Sequence, residues 1–229
     1  MRTRSNVAGV ESPELGAMAW TDVGSPILVV PVGSCEQHGP HLPLHTDTVV
    51  ATALARELAA RRDDCVVAPP LTITASGEHQ GFAGTLSIGN AAMADLLIEL
   101  VRSADWSQGV VFVNGHGGNA PAMTQAADTL GRESRRLLVW WPSVPGGDPH
   151  AGHVETSLML ALAPGEVRHD RAVAGPVPAI AELVRSGVQP LSASGVLGDP
   201  TTASPEEGRR LFAELSAQLA AAVASWVAR

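Results

Sequence analysis

Residues 33–48 read GSCEQHGPHLPLHTDT and carry Glu36, His38, His41, His45 and Asp47. Three of the chain's eight histidines lie in this short stretch. Carboxylates and imidazoles at such density are the ligands a hard-to-borderline divalent ion takes. Glu36 and His38 are two residues apart, so an extended backbone points both to one side. Asp47 follows a proline-containing loop long enough to return its carboxylate to the same point. The plain alternative is a polar surface loop with satisfied histidines.

Three further segments carry chemistry. Residues 110–121, VVFVNGHGGNAP, read as a buried strand, a glycine-rich turn and a helix start. His116 then sits at the carboxyl end of a strand, where open α/β sheets bind ligands. Gly115, Gly117 and Gly118 let the backbone approach a ligand closely. His116 is read as a metal ligand, against a capping histidine or an anion-binding turn. Residues 145–162 carry Asp148, His150 and His153 in a loop, then Glu155 at the start of an apolar helix. A carboxylate there also suits the helix dipole without any ligand. Residues 76–89, SGEHQGFAGTLSIG, place His79 among glycines, as pocket lining and a substrate-binding candidate beside the other three segments.

The composition excludes several chemistries. All 15 basic residues are Arg, so a Schiff-base or P-loop lysine is impossible, and Tyr is absent. Two cysteines, Cys35 and Cys65, supply neither a disulfide scaffold nor a thiolate zinc cluster. Cys35 as a thiol nucleophile is the weaker reading; a small residue packed beside the ligands is the stronger. HExxH, GxSxG and a downstream PCxxC are all missing. A formal charge of −8 and pI near 5.4 argue against a global nucleic-acid footprint. The first twenty residues lack a signal-peptide apolar region, and no run reaches the roughly 18–20 apolar residues of a membrane span. The expectation is a cytoplasmic protein.

The elements that must position these groups alternate. Short β-branched runs at Ile27–Val32, 65–68, 71–74, 110–113 and 137–141 read as strands. Helical spacing covers 48–61, 91–103 with Asn90 as N-cap, 120–132, 156–162 and 205–226, the last opened by Ser204-Pro205. Residues 142–152 and 186–204 are long Gly/Pro-rich loops, which are more often functional than decorative. Trp140 and Trp141 end a strand and default to core packing. Buried strands between helices predict a three-layer α/β/α sandwich with a mostly parallel sheet, in one domain covering 1–229.

Together the phrases GSCEQHGPHLP, Asp47, Asn114-Gly115-His116, His150-Ala151-Gly152 and Glu155-Thr156-Ser157 resemble the creatininase family of metal-dependent amidohydrolases. The resemblance implies the same α/β/α fold and two divalent ions, Zn²⁺ and/or Fe²⁺, with Mn²⁺ as a third candidate. It places Glu36, Asp47 and His116 on one ion and His38 on the other, with Asp47 bridging. His150 aligns with the family's catalytic histidine. Creatinine-hydrolysing members carry a further Glu two residues after the strand-end histidine. Gly118 stands there in this chain, and Glu155 is the nominated replacement. The phrases around 76–89, 140–164 and 195–208 look like a peptide-trimming branch of the family. That branch removes a C-terminal Val-Tyr dipeptide from a modified precursor peptide during cofactor biosynthesis. Family relatives are homo-oligomers. Rival readings are a creatinine or formamide-pyrimidine hydrolase, a non-catalytic metal-containing peptide scaffold, and an anion-binding protein using the NGHGGN turn.

Overall fold

The structure is a computed structural model that describes residues 4–7 and 10–229, with side chains from Ser12 onward. The sequence reading of the first twenty residues falls partly on 1–3 and 8–9, outside the described residues. Strands β1 (Arg4–Val7) and β2 (Val10–Pro13) form an antiparallel pair that no sequence pattern announced. The central sheet contains β3 (Ile27–Val32), β4 (Cys65–Val67), β5 (Gly109–Asn114) and β6 (Leu137–Trp140). Its order is β4-β3-β5-β6 and every pairing is parallel.

Alternation along the inner strands builds two cores. Ile27, Val29, Val111 and Val113 face one side, where α1 (Thr46–Ala60), α4 (His153–Leu162) and α6 (Pro205–Val227) pack. Leu28, Val30, Val110 and Phe112 face the other, against α2 (Gly89–Ser103) and α3 (Ala120–Arg132). With both faces covered, β3 and β5 are buried throughout, which is why they read as continuous apolar runs. This is the three-layer α/β/α arrangement that the sequence predicts. A sixth α-helix, the short α5 (Ile180–Ser186), was not foreseen.

The differences from expectation have local causes. Residues 71–74 do not form a strand; Leu71 alone bridges to Val32. Pro69 and Pro70 lack the N–H groups a ladder needs, so β4 stops at Val67. Pro31 is tolerated inside β3 because its nitrogen, which carries no N–H, faces this interrupted edge, where its carbonyl accepts from Leu71 N–H at 2.9 Å. Asn90 is not the cap of α2, which begins at Gly89. Ile88 holds the cap position without a side-chain cap, and the Ser87 hydroxyl before it accepts from Gly89 N–H at 3.2 Å. Helix α4 starts three residues earlier than the spacing suggests, because the Asp148 carboxylate accepts the His153 N–H. The Ser204 cap of α6 does form, its hydroxyl accepting from Glu207 N–H at 3.2 Å. Trp140 is core, whereas Trp141 is 37% exposed.

This topology decides where a ligand sits. The chain runs from β3 through α1 out to β4, then returns through α2 to β5 on β3's other flank. The strand order therefore reverses between β3 and β5. Their carboxyl ends open a crevice, and the loops beginning at Gly33 and Gly115 line it. Among the described residues, no helix is long and apolar enough to cross a membrane.

Candidate metal centre

Glu36, His38, Asp47, His116, His79 and His150 are all buried at this crevice. Glu36 and His38 come from the loop after β3, Asp47 from the first turn of α1, and His116 from the end of β5. His79 belongs to the short turn Gly77–His79. His150 and Glu155 come from the loop and first turn at α4. Gly33 permits the convergence: a Cβ there would collide with the backbone of Thr48 at the start of α1.

Asp47 sits between two histidines. Its Oδ1 lies 3.0 Å from His38 Nε2, and its Oδ2 lies 3.2 Å from His116 Nδ1. The Ser34 hydroxyl donates to Oδ2 at 2.8 Å. Glu155 stands on the His38 side, Oε2 at 3.8 Å from His38 Nε2, and accepts from Ala151 N–H at 2.6 Å. Glu36 stands on the His116 side, Oε2 at 3.0 Å from His116 Nε2. Three groups of donors have ligand atoms within 4.8 Å of one another: Glu36 with Asp47 and His116, His38 with Asp47 and Glu155, and Glu36 with His38 and His150.

Backbone carbonyls set the tautomers, because a carbonyl only accepts. His38 Nδ1–H donates to Glu36 O at 3.1 Å, so Nε2 is the nitrogen that faces Asp47, donating to it when protonated and free to ligate when not. His116 Nε2–H donates to Ala75 O at 3.0 Å, so Nδ1 is the nitrogen that faces Asp47, donating to it when protonated. His150 Nε2–H donates to Gln37 O at 2.8 Å, and its Nδ1 lies 3.8 Å from Glu36 Oε1. The Gln37 amide donates to His79 Nδ1 at 2.9 Å and to Gly195 O at 3.1 Å. The His38, His150 and His79 rings pack in a row with centroids 4.3 Å apart. Each imidazole is thus oriented by a partner behind it, as metal-site histidines require.

The electrostatics show what the site lacks. Both carboxylate oxygens of fully buried Glu36 have no hydrogen-bond donor. Burial works against a proton on His38, yet the Asp47 carboxylate overrides it and raises the imidazole to about 10. Burial likewise opposes charge on His116, but Glu36 and Asp47 hold its pKa well above the ordinary value. Burial lifts the Glu155 carboxyl to about 7 against the pull of His38. His150 goes the other way, pushed well down by burial and by the positive charges of His38 and His79. Several carboxylates in one dry crevice demand positive charge, and protons supply it here. A divalent cation is the alternative source, and its binding would displace those protons.

The family described as "Creatininase: Creatinine amidohydrolase" matches residues 11–223. The chain belongs to the creatininase family. It is 50% identical over 218 residues to the mycofactocin precursor peptide peptidase of Mycobacterium tuberculosis, covering 89% of this chain and 86% of that one. A Zn-Zn type mutant creatininase structure superposes with a TM-score of 0.77 at 25% identity, covering 91% of this chain and 96% of the other. The structure titled creatininase Mn gives a TM-score of 0.78 at 25% identity, covering 93% and 97%. As a creatininase-family member the chain is a hydrolase of amide bonds, and its candidate metal site accords with the zinc and manganese named for those two structures.

Other residues of the family-like motifs lie away from the centre. The exposed His45 ring pairs with Glu166 at 2.6 Å. His153 is half-buried and bonds Thr202 at 3.1 Å. Cys65 is buried in the core and Cys35 is half-buried, its thiol pointing at Gly84 O at 3.6 Å. Glu78 does reach the centre, and the sequence did not single it out. Its Oε1 lies 3.3 Å from His116 Nε2. A Cβ on Gly118 would collide with that carboxylate and with the His116 ring. Glu78 therefore fills the space a side chain at 118 would need, while Glu155 stands on the far side of Asp47. The absence of a side chain at Gly118 was the signal that some other group enters there.

His41 is buried but turns outward from the centre, its Nε2 bonding Thr156 Oγ1 at 2.9 Å. Burial, then the charges of His169 and His38, lower it from 6.5 to about 4. The unfolded chain thus binds a proton between these values that the folded chain does not. Stability is complete above about pH 6.5 and falls as the pH drops toward 4. Urea titrations of wild type and His41→Gln at pH 7 and pH 4.5 are expected to differ in their pH slopes by ~1–3 kcal/mol. Equal slopes would show that His41 does not drive acid sensitivity.

Proposed function

We propose that this chain is a metal-dependent peptidase of mycofactocin biosynthesis that removes the C-terminal Val-Tyr dipeptide from the modified precursor peptide. The observation that carries the metal is Glu36, whose two buried carboxylate oxygens lack any donor between two three-residue ligand groups. The peptide substrate rests on the 50% identity to the Mycobacterium tuberculosis peptidase. We further propose one hydrolase domain over 1–229, acting in the cytoplasm as a homo-oligomer.

The donor chemistry fits divalent ions. Glu36, Asp47 and His116 would hold one, and His38, Asp47 and Glu155 a second, as Zn²⁺, Fe²⁺ or Mn²⁺. When bound, such ions polarise the scissile carbonyl and make a water molecule acidic enough to attack near neutrality. His150 is the proton carrier. Its Nε2–H is committed to Gln37 O, so Nδ1 accepts the proton given up by the attacking water. It then delivers that proton to the departing dipeptide amine. The low proton affinity of buried His150 keeps Nδ1 free at neutral pH. Gln37 ties His150 and His79 together, and His79 borders the substrate where the cleft meets Glu36.

The deciding experiment is mass spectrometry of the modified precursor peptide incubated with metal-loaded protein and with a chelated control. Release of intact Val-Tyr only in the metal-loaded sample is the expected result. Metal retained without cleavage would transfer the reading to a cyclic amide or formamide substrate. No turnover on any of these amides would leave only the scaffold reading.

A further inference from the structure

A cleft of about 880 Å³ opens above the candidate centre. Its lining carries the carboxylates of Asp47, Glu78 and Glu155 beside the centre, and a single arginine, Arg185. Arg185 lies in the last turn of α5, which forms one wall. Ile180 and Val184 are one helical turn apart on that helix, 63% and 79% exposed. Arg185 is itself exposed and, among the described residues, makes no salt bridge or side-chain hydrogen bond.

The wall is tied to the centre rather than attached loosely. Val188 N–H donates to Glu78 O at 2.8 Å, just after α5 ends. Gly187 makes the exit at φ +72°, and a Cβ there would crowd Glu78 O at 2.9 Å. The turn that carries Glu78 and His79 and the end of α5 that carries Arg185 are therefore held against each other.

We propose that Arg185 binds the free α-carboxylate of the peptide substrate, with Ile180 and Val184 against its terminal side chains. This deepens the peptidase reading and rests on it. A chain terminus brings a negative charge into a cleft whose inner end is already acidic. Among its lining residues only Arg185 offers a permanent positive charge to receive it. A guanidinium matches a carboxylate with two parallel N–H donors, and exposed aliphatic side chains beside it suit apolar terminal residues. An internal peptide segment carries no such charge, so the wall selects chain ends and sets how many residues are removed.

The test uses metal-loaded protein and two substrates, the modified precursor peptide with a free C-terminus and the same peptide as its C-terminal amide. Arg185→Gln is expected to raise KM for the free acid by roughly 10- to 100-fold, with kcat changed by less than about threefold and metal content unchanged. The wild type should handle the amide as poorly as the variant handles the acid, and the variant should lose nothing more on the amide. Arg185→Lys should recover part of the loss. Equal cleavage of acid and amide by the wild type would overturn the proposal, as would an unchanged KM in Arg185→Gln. If the wild type cleaves neither peptide, the peptidase reading fails and takes this proposal with it.

Discussion

Asp47→Ala is expected to lose bound metal and at least about a thousandfold in kcat/KM. Of the three possible donor groups, the two proposed to hold ions share Asp47 and no other side chain. Oδ1 faces His38 and Oδ2 faces His116, at 3.0 and 3.2 Å, so a single truncation opens both sites. The carboxylate is held well below its usual range: burial would raise it, but His38 and His116 outweigh burial. Its removal leaves those imidazoles without their main counter-charge. Asp47→Asn keeps the shape and removes the charge, so it separates packing from ligation. Elemental analysis of the purified variants reads metal directly, and circular dichroism checks the fold. Asp47→Asn with full metal content and normal turnover would remove Asp47 from the centre.

His150→Ala is expected to behave differently, losing about 10²- to 10⁴-fold in kcat while keeping its metal. The geometry gives this prediction its edge, since His150 also belongs to one possible donor group with Glu36 and His38. Its Nδ1 is 3.8 Å from Glu36 Oε1, further than any Asp47 contact, and its other nitrogen is engaged by Gln37 O. His150 is placed by a two-stranded bridge: its N–H donates to Leu197 O at 3.3 Å and Leu197 N–H donates to its carbonyl at 2.9 Å. Removing the imidazole therefore leaves the loop attached. Loss of metal together with turnover would make His150 a ligand instead of a proton carrier. Normal turnover with metal retained would leave the amine to be protonated by another group.

Most of the fold was legible because it follows from short-range pattern. The apolar runs of β3 and β5 could only be buried on both faces, and the intervening amphipathic spacing supplied the covering helices. Ser204-Pro205 announced α6 through capping chemistry that needs no tertiary partner. The pattern failed where a distant or non-periodic group intervened. Asp148 extends α4 backward across a loop, and α2 begins at Gly89, one residue before the expected cap Asn90. Helix α5 is seven residues long, too short for periodicity to separate it from a Gly/Pro-rich loop.

The candidate centre divides in the same way. Residue type and spacing pointed to the segment holding Glu36, His38 and Asp47 and to His116, whereas the parts given to His150 and Glu155 came from the family resemblance. Spacing could not separate His38 from His41 and His45, which share its segment. The chain's turn at Gly39 and Pro40 sends one ring inward, one to Thr156 and one to the surface. Glu78 was invisible for a related reason: only in three dimensions does the empty space beside Gly118 meet its carboxylate. Which nitrogen of each histidine is free depends on carbonyls at Glu36, Gln37 and Ala75. Which segments carry candidate donors is thus legible in residue type and short spacing. Ligand orientation, and the placement of Arg185 on the wall of the cleft, depend on contacts between segments far apart in the chain.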